Sequence, residues 1–266
     1  MPRTAFLLPP PPLLPGHPAV DDAALFLDFD GTLVEIAERP DAVRVPDSLP
    51  PLLLRLAGEL GGALAVVSGR PLRDLDFFLP VPIAKAGDHG AALRPDPDAP
   101  AEVPDLPSPP LDWRRRALPW VERHPGALIE DKAHGFVLHY RQAPEAGPEA
   151  RAIMDSLVAE APDLFTLLEA RMAWELRPRG PSKASAVRGL MARPPFAGRV
   201  PVFIGDDVTD EEGMEACRAF GGHGFRLQDA FGTPAALRAW LARACRLSLD
   251  GGAGGGADVA GAGAPG

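Results

Sequence analysis

The fold of this chain is most constrained by two short apolar segments. Each of them is followed directly by closely spaced aspartates. Residues 24–33 read Ala-Leu-Phe-Leu-Asp-Phe-Asp-Gly-Thr-Leu. Side chains alternate between the two faces of a strand, so Asp28 and Asp30 leave on the same side, roughly 6 to 7 Å apart. Two carboxylates at that separation repel each other unless a cation lies between them or one of them holds a proton. A strand that ends in an ordinary Asp-Gly turn at Gly31 is the simpler alternative.

The second acidic segment, residues 202–212, again carries an apolar strand into carboxylates. Asp206 and Asp207 follow Gly205 directly, and Asp210 opens a predicted helix. Acidic residues in a first helical turn are ordinary capping, so Asp210 alone indicates little. Two acidic strand ends side by side in a parallel sheet would, however, offer the oxygen ligands that Mg²⁺ prefers. We therefore predict a magnesium site where the two segments meet.

Two further residues suit a phosphate ligand. Ser68 ends an apolar strand that begins at residue 63, and its hydroxyl and the following amides can donate hydrogen bonds to phosphate oxygens, although Ser-Gly turns also occur without function. Lys183 opens a predicted helix at residues 183–191 and is one of only three lysines among 27 basic residues. A lysine in a first helical turn opposes the helix dipole, and an anion bound at that helix start would explain it.

Strands that end in these residues alternate with amphipathic helices. This alternation predicts an α/β fold with a parallel sheet covered by helices and the site at the carboxyl ends of its strands. The helices are predicted at residues 49–60, 72–79, 183–191, 210–220 and 234–245. The proline-rich residues 94–110 break the pattern and mark a domain boundary. After them, two helix-strand-strand repeats predict a small α+β module with one open sheet face. Its helices are predicted at residues 113–123 and 148–161, and its strands at 127–131, 136–141, 165–170 and 173–177.

Alternation along the second strand of this module separates an apolar face from a polar one. Phe136, Leu138 and Tyr140 fall on the side that packs on helices, and His139 and Arg141 fall on the other. Charged residues elsewhere in the module share faces in pairs, Glu130 with Lys132 and Glu175 with Arg177. The polar face is either a solvated surface laced with salt bridges or a surface that binds the hydroxyls of a polyol.

Taken in order, these segments match the four motifs of the haloacid dehalogenase superfamily of phosphatases. The motifs are Asp28-Phe29-Asp30-Gly31-Thr32, Ser68, Lys183 and Gly205-Asp206-Asp207. The finer pattern between residues 24 and 243 resembles the trehalose-6-phosphate phosphatase family. It comprises Ser68-Gly69-Arg70, Gly87-Asp88-His89-Gly90, Glu130-Asp131-Lys132, His139-Tyr140-Arg141, and residues 175–180 and 205–211. Ala92 departs from the family, which often carries a glutamate there, and leaves a sugar contact from that position open.

The resemblance implies a magnesium-dependent phosphatase that hydrolyses trehalose 6-phosphate to trehalose and phosphate, the last step of trehalose biosynthesis. Asp28 would form an aspartyl-phosphate, and Asp30 would act as general acid and base. Ser68 and Lys183 would hold the phosphoryl group. The implied magnesium ligands are Asp28, the carbonyl of Asp30 and Asp206, with Asp207 and Asp210 in support. The implied substrate-binding residues are Arg70, His89, Gly90, Glu130, Lys132 and Glu175.

The same resemblance sets the expected domain bounds. Residues 22–106 and 179–248 would form a three-layer, parallel-sheet haloacid dehalogenase-like core, and residues 107–178 an inserted α+β cap that sets substrate specificity. A proline-rich segment, residues 1–21, would precede the core. The tail at 249–266 is nearly all glycine and alanine at its end, and we expect it to be disordered.

The composition of the chain limits the classes of molecule that it is expected to bind and the cellular compartment in which it is expected to work. A net charge of −9 argues against sequence-independent binding to nucleic acid or to anionic membranes. No apolar run approaches the ~20 residues of a membrane span, and the start lacks the longer apolar segment of a secretory signal. Cys217 and Cys245 are too few for a disulfide framework or a zinc site, and we expect both to be small core residues in a reducing cytosol. We therefore expect a cytoplasmic protein whose partner is a small-molecule substrate. We also expect a monomer.

Two other functions stay open on the sequence alone. The first is a phosphatase of another sugar phosphate, such as sucrose 6-phosphate, mannosylglycerate phosphate or a hexose phosphate, because only the cap would differ. The second is a sugar-phosphate sensor without turnover. The intact set of Asp28, Asp30, Lys183 and Asp206 argues against the sensor. Lys85, the remaining lysine, has no predicted role.

Overall fold

The computed structural model describes residues 6–37, 39–170 and 172–250. Within these residues the chain forms a six-stranded sheet, a four-stranded sheet and a two-stranded hairpin. The strands are β1 (Leu7–Leu8), β2 (Val20–Asp21), β3 (Ala23–Leu27), β4 (Leu64–Val67), β5 (Ala84–Gly87), β6 (Ala92–Arg94), β7 (Leu128–Lys132), β8 (Gly135–His139), β9 (Phe165–Ala170), β10 (Ala173–Pro178), β11 (Val200–Gly205) and β12 (His223–Arg226). The helices are α1 (Leu49–Glu59), α2 (Leu72–Phe78), α3 (Leu111–Arg123), α4 (Gly147–Val158), α5 (Lys183–Met191), α6 (Val208–Ala219), α7 (Leu227–Ala230) and α8 (Pro234–Asp250).

The six-stranded sheet has the order β12-β11-β3-β4-β5-β6 and is parallel except for β6, which runs antiparallel to β5. All five residues of β3 are buried, so both faces of the sheet are covered there. A parallel sheet covered in this way requires continuously apolar strands. Asp28, Ser68 and Asp206 directly follow β3, β4 and β11, and the parallel pairing brings them to one edge. The predicted α/β core, with polar residues at the carboxyl ends of parallel strands, is confirmed.

The four-stranded antiparallel sheet has the order β7-β8-β10-β9, and α3 and α4 pack against one of its faces. We refer to α3, α4 and this sheet as the cap. Trp113 and Trp120 of α3 share a second hydrophobic core with Phe136 and Leu138 of β8. His139 lies on the opposite side of β8 and lines a cavity. The predicted division of this strand into an apolar and a polar face is therefore confirmed.

Several element bounds differ from the prediction for local reasons. α6 begins at Val208, before its predicted start at Asp210, because the side chain of Asp207 caps the helix. α8 continues to Asp250, beyond its predicted end at Cys245. The tail predicted at 249–266 therefore starts within this helix, and its remainder, 251–266, lies outside the described residues. The sequence does not predict strands β5, β6 and β12, because their alanine, glycine, lysine and histidine residues show no apolar periodicity.

The proline-rich N-terminal segment packs on the C-terminal part of the core. β1 pairs with β2, and the Leu13 N–H donates to the Ala230 carbonyl at 3.1 Å. Trp240 of α8 donates from Nε1 to the Pro10 carbonyl at 3.2 Å. Residues 6–21 thus belong to the surface of the core.

Cys217 and Cys245 are both buried in the core, as predicted. Among the helices in the described ranges, none is long and apolar enough to cross a membrane.

Candidate active site

Three buried charges from three segments form the base of the site. Asp28 follows β3, Lys183 is the first residue of α5, and Asp210 lies in α6. The Lys183 Nζ donates to Asp28 Oδ1 at 2.7 Å and also to Asp210 Oδ1. Burial and the Asp210 carboxylate raise the pKa of Asp28 well above its usual range, and Lys183 opposes them. Burial lowers the pKa of Lys183, but the two carboxylates outweigh it and raise that pKa above its usual value. The lysine is therefore charged, as an anion-binding group must be.

A capping box fixes Lys183 at the start of α5. The Ser182 Oγ accepts from the Ser185 N–H at 3.1 Å, and the Ser185 Oγ accepts from the Ser182 N–H at 2.9 Å. These reciprocal bonds satisfy backbone donors at the helix start. They also set the direction in which the Lys183 side chain leaves the helix, towards Asp28.

A tight turn after β11 fixes the second acidic segment against the first. Asp210 Oδ2 accepts from the backbone N–H groups of Asp206 at 3.0 Å and Asp207 at 2.9 Å. Asp206 Oδ1 accepts from Thr32 Oγ1 at 3.3 Å. Gly31 has a φ of 81°, and a Cβ there would collide with the Asp206 carboxylate. Glycine at this turn therefore allows the two acidic segments to approach each other.

Asp28, Asp206 and Asp210 form a cluster in which one carboxylate oxygen of each residue lies within 4.8 Å of the other two. Burial, followed by the charges of Asp210 and Asp207, raises the pKa of Asp206 to about 6. A cation at the cluster would offset this repulsion, and an all-oxygen donor set suits a hard divalent ion. Asp210 already accepts hydrogen bonds on both oxygens, so Asp28 and Asp206 are better placed to bind the ion and Asp210 to orient them. The residues present therefore fit a divalent cation.

The loop after β4 lies on the side of Asp28 opposite β11. Ser68 is buried, and its Oγ accepts from the Arg70 N–H at 3.1 Å. Arg70 binds both carboxylate oxygens of Asp30, with Nε 2.6 Å from Oδ2 and Nη2 2.8 Å from Oδ1. The Arg70 guanidinium also lies 4.9 Å from the ring centre of Phe78. The Asp30 side chain thus points to Arg70 and is not a member of the acidic cluster, so its predicted metal contact concerns the carbonyl alone.

Glu130, Lys132 and His139 lie next to one another on the face of the cap sheet that borders the cavity. Glu130 Oε1 lies 2.8 Å from Lys132 Nζ, and Glu130 Oε2 lies 2.8 Å from His139 Nε2. Burial raises the pKa of Glu130, but the His139 hydrogen bond and the Lys132 charge outweigh it and bring that pKa to about 2. Burial lowers the pKa of Lys132, but Glu130 and Glu175 outweigh it and raise that pKa. Glu130 and Lys132 are therefore both charged at neutral pH.

Glu175 of β10 contacts the core at His89. Glu175 Oε2 lies 3.2 Å from His89 Nε2, and both residues are buried. Burial raises the pKa of Glu175, but the charge and hydrogen bond of His89, together with nearby cations, lower it below the usual value. Asp88, His89 and Gly90 have φ values of 49°, 54° and 95°, and a Cβ at Gly90 would overlap the Ser182 carbonyl. Such a turn costs free energy for residues other than glycine and persists only where its surroundings fix it.

A cavity of about 560 Å³ lies between the core and the polar face of the cap. Near one end of the cap strands, Lys132 Nζ donates to the Gly69 carbonyl at 3.4 Å. β8 runs antiparallel to β7, so that its first residue, Gly135, pairs with Lys132 and its last residue, His139, pairs with Leu128. Arg141 follows His139 and therefore lies at the end of the cap strands opposite Lys132. There the Arg141 Nη1 donates to the Ala37 carbonyl at 2.7 Å. Cap and core thus meet at both ends of a cavity whose size is typical of small-molecule sites.

The structure brings most of the predicted site residues to this cavity. Its wall includes Asp28, Asp30, Ser68, Arg70, His89, Glu130, Lys132, Glu175, Lys183, Asp206 and Asp207. Asp210 lies buried behind the wall, and Gly90 packs against the Ser182 carbonyl. Sequence reasoning missed Gln228, which lines the cavity and donates from Nε2 to the Asp206 carbonyl at 3.3 Å. Gln228 follows β12, a strand that the sequence does not predict. A single glutamine also has no pattern around it that would mark it as a site residue.

The trehalose-phosphatase family model matches residues 26–230. A probable trehalose-phosphate phosphatase of Sinorhizobium fredii is 41% identical over 213 residues, which cover 78% of this chain and 78% of that protein. The trehalose-6-phosphate phosphatase of Escherichia coli is 37% identical over 219 residues, which cover 82% of this chain and 80% of that protein.

A solved structure gives the corresponding likeness in three dimensions. The C-terminal domain of Candida albicans trehalose-6-phosphate phosphatase aligns with a TM-score of 0.71 and covers 84% of this chain and 92% of its own. The two sequences are 19% identical, so this likeness concerns the fold.

Proposed function

Because this chain belongs to the trehalose-phosphatase family, we propose that it hydrolyses trehalose 6-phosphate to trehalose and phosphate in the cavity between core and cap. The observation that carries the proposal is that one cavity joins two kinds of site. The Asp28–Lys183 pair at its base suits a phosphoryl group. The charged residues on the cap face suit sugar hydroxyls. Neither half alone would specify a sugar phosphate.

Asp28 is the nucleophile in this proposal. One of its carboxylate oxygens attacks phosphorus, and the bond between phosphorus and the sugar oxygen breaks, which leaves an aspartyl-phosphate. Water then attacks the phosphorus of that intermediate, which releases phosphate and restores the carboxylate. Attack requires the ionised form, and Lys183, 2.7 Å from Asp28 Oδ1, favours that form against the burial that opposes it.

Asp30 transfers the protons in both steps. It gives a proton to the departing sugar oxygen and later takes one from the attacking water. Both of its oxygens accept hydrogen bonds from Arg70, so at least one of these bonds has to break when the substrate binds. The Ser68 hydroxyl and the Lys183 ammonium donate to the phosphoryl oxygens.

We further propose Mg²⁺ as the cofactor, held by Asp28, Asp206 and the Asp30 carbonyl, with Asp207 and Asp210 in support. When bound, the ion would neutralise charge on the phosphoryl oxygens and reduce their repulsion from the buried carboxylates. Asp210 binds the backbone N–H groups of Asp206 and Asp207. These bonds hold the turn that carries Asp206 in place.

The cap face supplies two acceptors and one donor to the sugar. Glu130 has a pKa of about 2, so its ionised carboxylate only accepts hydrogen bonds. Glu175, whose pKa is also lowered, is a second acceptor. Lys132 only donates. Sugar hydroxyls both donate and accept, so a disaccharide can satisfy all three residues, whereas a small phosphate ester cannot.

The test replaces Glu130, Lys132 and Glu175 with alanine, one at a time. For each variant, kcat/KM is measured with magnesium on trehalose 6-phosphate and on p-nitrophenyl phosphate. Each lost charge-assisted hydrogen bond is worth about 1.5–3 kcal/mol, so kcat/KM on trehalose 6-phosphate should fall by about one to two decades. The small ester never makes these bonds and should lose far less. Equal losses on both substrates would contradict the proposed sugar contacts.

Two controls accompany this comparison. Glu149→Ala removes an exposed ion pair with Arg123 on the helical side of the cap, so it should leave the ratio of the two activities unchanged. Phosphate release by the unmodified protein from a panel of phosphorylated mono- and disaccharides tests the substrate itself. Faster turnover of sucrose 6-phosphate or of a hexose phosphate would contradict the assignment to trehalose 6-phosphate.

A further inference from the structure

His139 contacts a proposed sugar-binding residue but is not among the residues that the family resemblance assigns to the sugar. Its Nε2 lies 2.8 Å from Glu130 Oε2. We propose that His139 is a positioning residue that fixes the Glu130 carboxylate in the orientation needed to recognise the sugar. This inference rests on the proposed function and deepens it.

The register of the cap sheet brings the two side chains together. β8 pairs His139 with Leu128 and Val137 with Glu130. His139 and Glu130 are therefore diagonal neighbours on one face of adjacent strands, a separation that long side chains can bridge. On the other side of β8, β10 places Ala173 opposite His139. This small residue leaves the imidazole room beside it.

His139 is the donor in this hydrogen bond. Glu130 has a pKa of about 2, so at neutral pH its carboxylate is ionised and can only accept. The Nε2 atom of His139 must therefore carry a hydrogen, whether the ring is neutral or charged. The strand fixes the position of the ring, and the ring fixes the direction of the N–H.

Lys132 alone would not hold Glu130 in one orientation. Its Nζ lies 2.8 Å from Glu130 Oε1, but it also donates to the Gly69 carbonyl and interacts with the charge of Glu175. An ammonium on a flexible four-carbon chain can follow a carboxylate that rotates. A second donor on Oε2 prevents that rotation. The lone pairs that remain on the two oxygens then point in defined directions, where they can accept hydrogen bonds from sugar hydroxyls.

The exposure of the pair argues against a role in stability alone. The side chains of His139 and Glu130 are 25% and 27% exposed, and both line the cavity. Ion pairs that water can reach contribute little to the free energy of unfolding. The orientation of Glu130 is therefore the main consequence of the contact.

The experiment uses two variants of His139 and a matched control. His139→Phe keeps a ring and removes the donor, whereas His139→Gln keeps an N–H donor close to the position of Nε2. His134→Phe changes a half-buried histidine between β7 and β8 whose Nδ1 lies 3.4 Å from Ser108 Oγ. For each protein, kcat and KM are measured on trehalose 6-phosphate and on p-nitrophenyl phosphate. The same constants are measured for Glu130→Gln and for the double variant with His139→Phe.

We expect His139→Phe to raise KM for trehalose 6-phosphate by about tenfold, as for one weakened charge-assisted hydrogen bond, with a smaller change in kcat. The effect on p-nitrophenyl phosphate should be far smaller, His139→Gln should recover most of the loss, and His134→Phe should match the unmodified protein. In the Glu130→Gln background, His139→Phe should add no further loss, because the two residues then act as one unit.

The results that overturn this inference differ from those that overturn the proposed function. An active protein whose KM is unaffected by His139→Phe refutes the positioning role alone. So does a full additional loss in the Glu130→Gln background, or a loss that His139→Gln does not recover. An unmodified protein that fails to hydrolyse trehalose 6-phosphate refutes the proposed function and the orienting role with it.

Discussion

Replacing Lys183 with methionine should destabilise the protein as well as inactivate it. The Lys183 side chain is 3% exposed, and those of its partners Asp28 and Asp210 are 5% and 0% exposed, so water cannot take over its hydrogen bonds. Hydrogen bonds to charged groups are worth about 1.5–3 kcal/mol each, and removing one partner of a buried ion pair costs about 3–5 kcal/mol. We expect Lys183→Met to lower the free energy of unfolding by about 3–5 kcal/mol at pH 8 in the presence of a chelator.

The size of this loss should depend on pH in a defined direction. Burial and Asp210 already raise the pKa of Asp28, and removal of the Lys183 charge raises it further. A carboxyl group whose pKa is higher in the folded state binds more protons there than in the unfolded chain, so stability falls as pH rises between the ordinary and the raised pKa. The loss caused by Lys183→Met should therefore be larger at pH 8 than at pH 5.

The assay is urea unfolding followed by tryptophan fluorescence, with Lys85→Met as the matched control. Lys85 is also buried, and its Nζ donates to Asp76 Oδ1 at 2.7 Å and to the Leu79 carbonyl at 2.8 Å, away from the cavity. Both variants should be destabilised, but only Lys183→Met should lose turnover. A loss for Lys183→Met below about 1 kcal/mol at pH 8, or a larger loss at pH 5, would refute this reasoning.

Four further outcomes follow from the base of the site. Asp28→Asn should abolish turnover and leave the circular dichroism spectrum unchanged; retention of more than about a tenth of the activity would exclude the covalent role. Asp30→Asn should lower kcat/KM for trehalose 6-phosphate by about 10² to 10⁴, and much less for p-nitrophenyl phosphate, because kcat/KM reports the step that releases the leaving group and nitrophenolate needs no proton; an equal loss on both would point away from the acid role. A chelator should stop turnover and Mg²⁺, but not Ca²⁺, should restore it. Calorimetry should show Mg²⁺ affinity weakening as pH falls through about 6, where Asp206 takes up a proton, and an affinity independent of pH would contradict this.

The base of the site could be predicted from the sequence because local patterns fix each residue. Asp28, Ser68 and Asp206 each end a short apolar strand, and parallel pairing is enough to carry strand ends to one edge. Lys183 is one of few lysines in an arginine-rich chain, and it stands at a helix start. The cap could likewise be predicted from its alternation of helices and strands, and its polar face from the period of β8.

The pairing of distant side chains could not be predicted in the same way. The local period of a sequence says which face of a strand a residue occupies, but not which side chain or loop from elsewhere in the fold it contacts. Pairs of this kind include Asp30 with Arg70, Glu175 with His89, and Arg141 with the Ala37 carbonyl. Lys85 is a further case, because its partner Asp76 belongs to a helix whose distance from β5 depends on the whole core. Such contacts depend on how the sheets and helices stack.

The cap is continuous in sequence and the core is not. The four strands and two helices of the cap lie between Leu111 and Pro178, whereas β3, in the interior of the core sheet, has β11 as a neighbour, which begins at Val200. During synthesis the cap can complete its own hydrophobic core while one side of β3 is still unpaired. Contacts between distant segments form slowly, because a long loop must close first. We therefore expect Asp28 to meet Asp206 in a late step of folding, and a ribosome-bound chain that ends before β11 to carry a folded cap beside an unfinished phosphatase site.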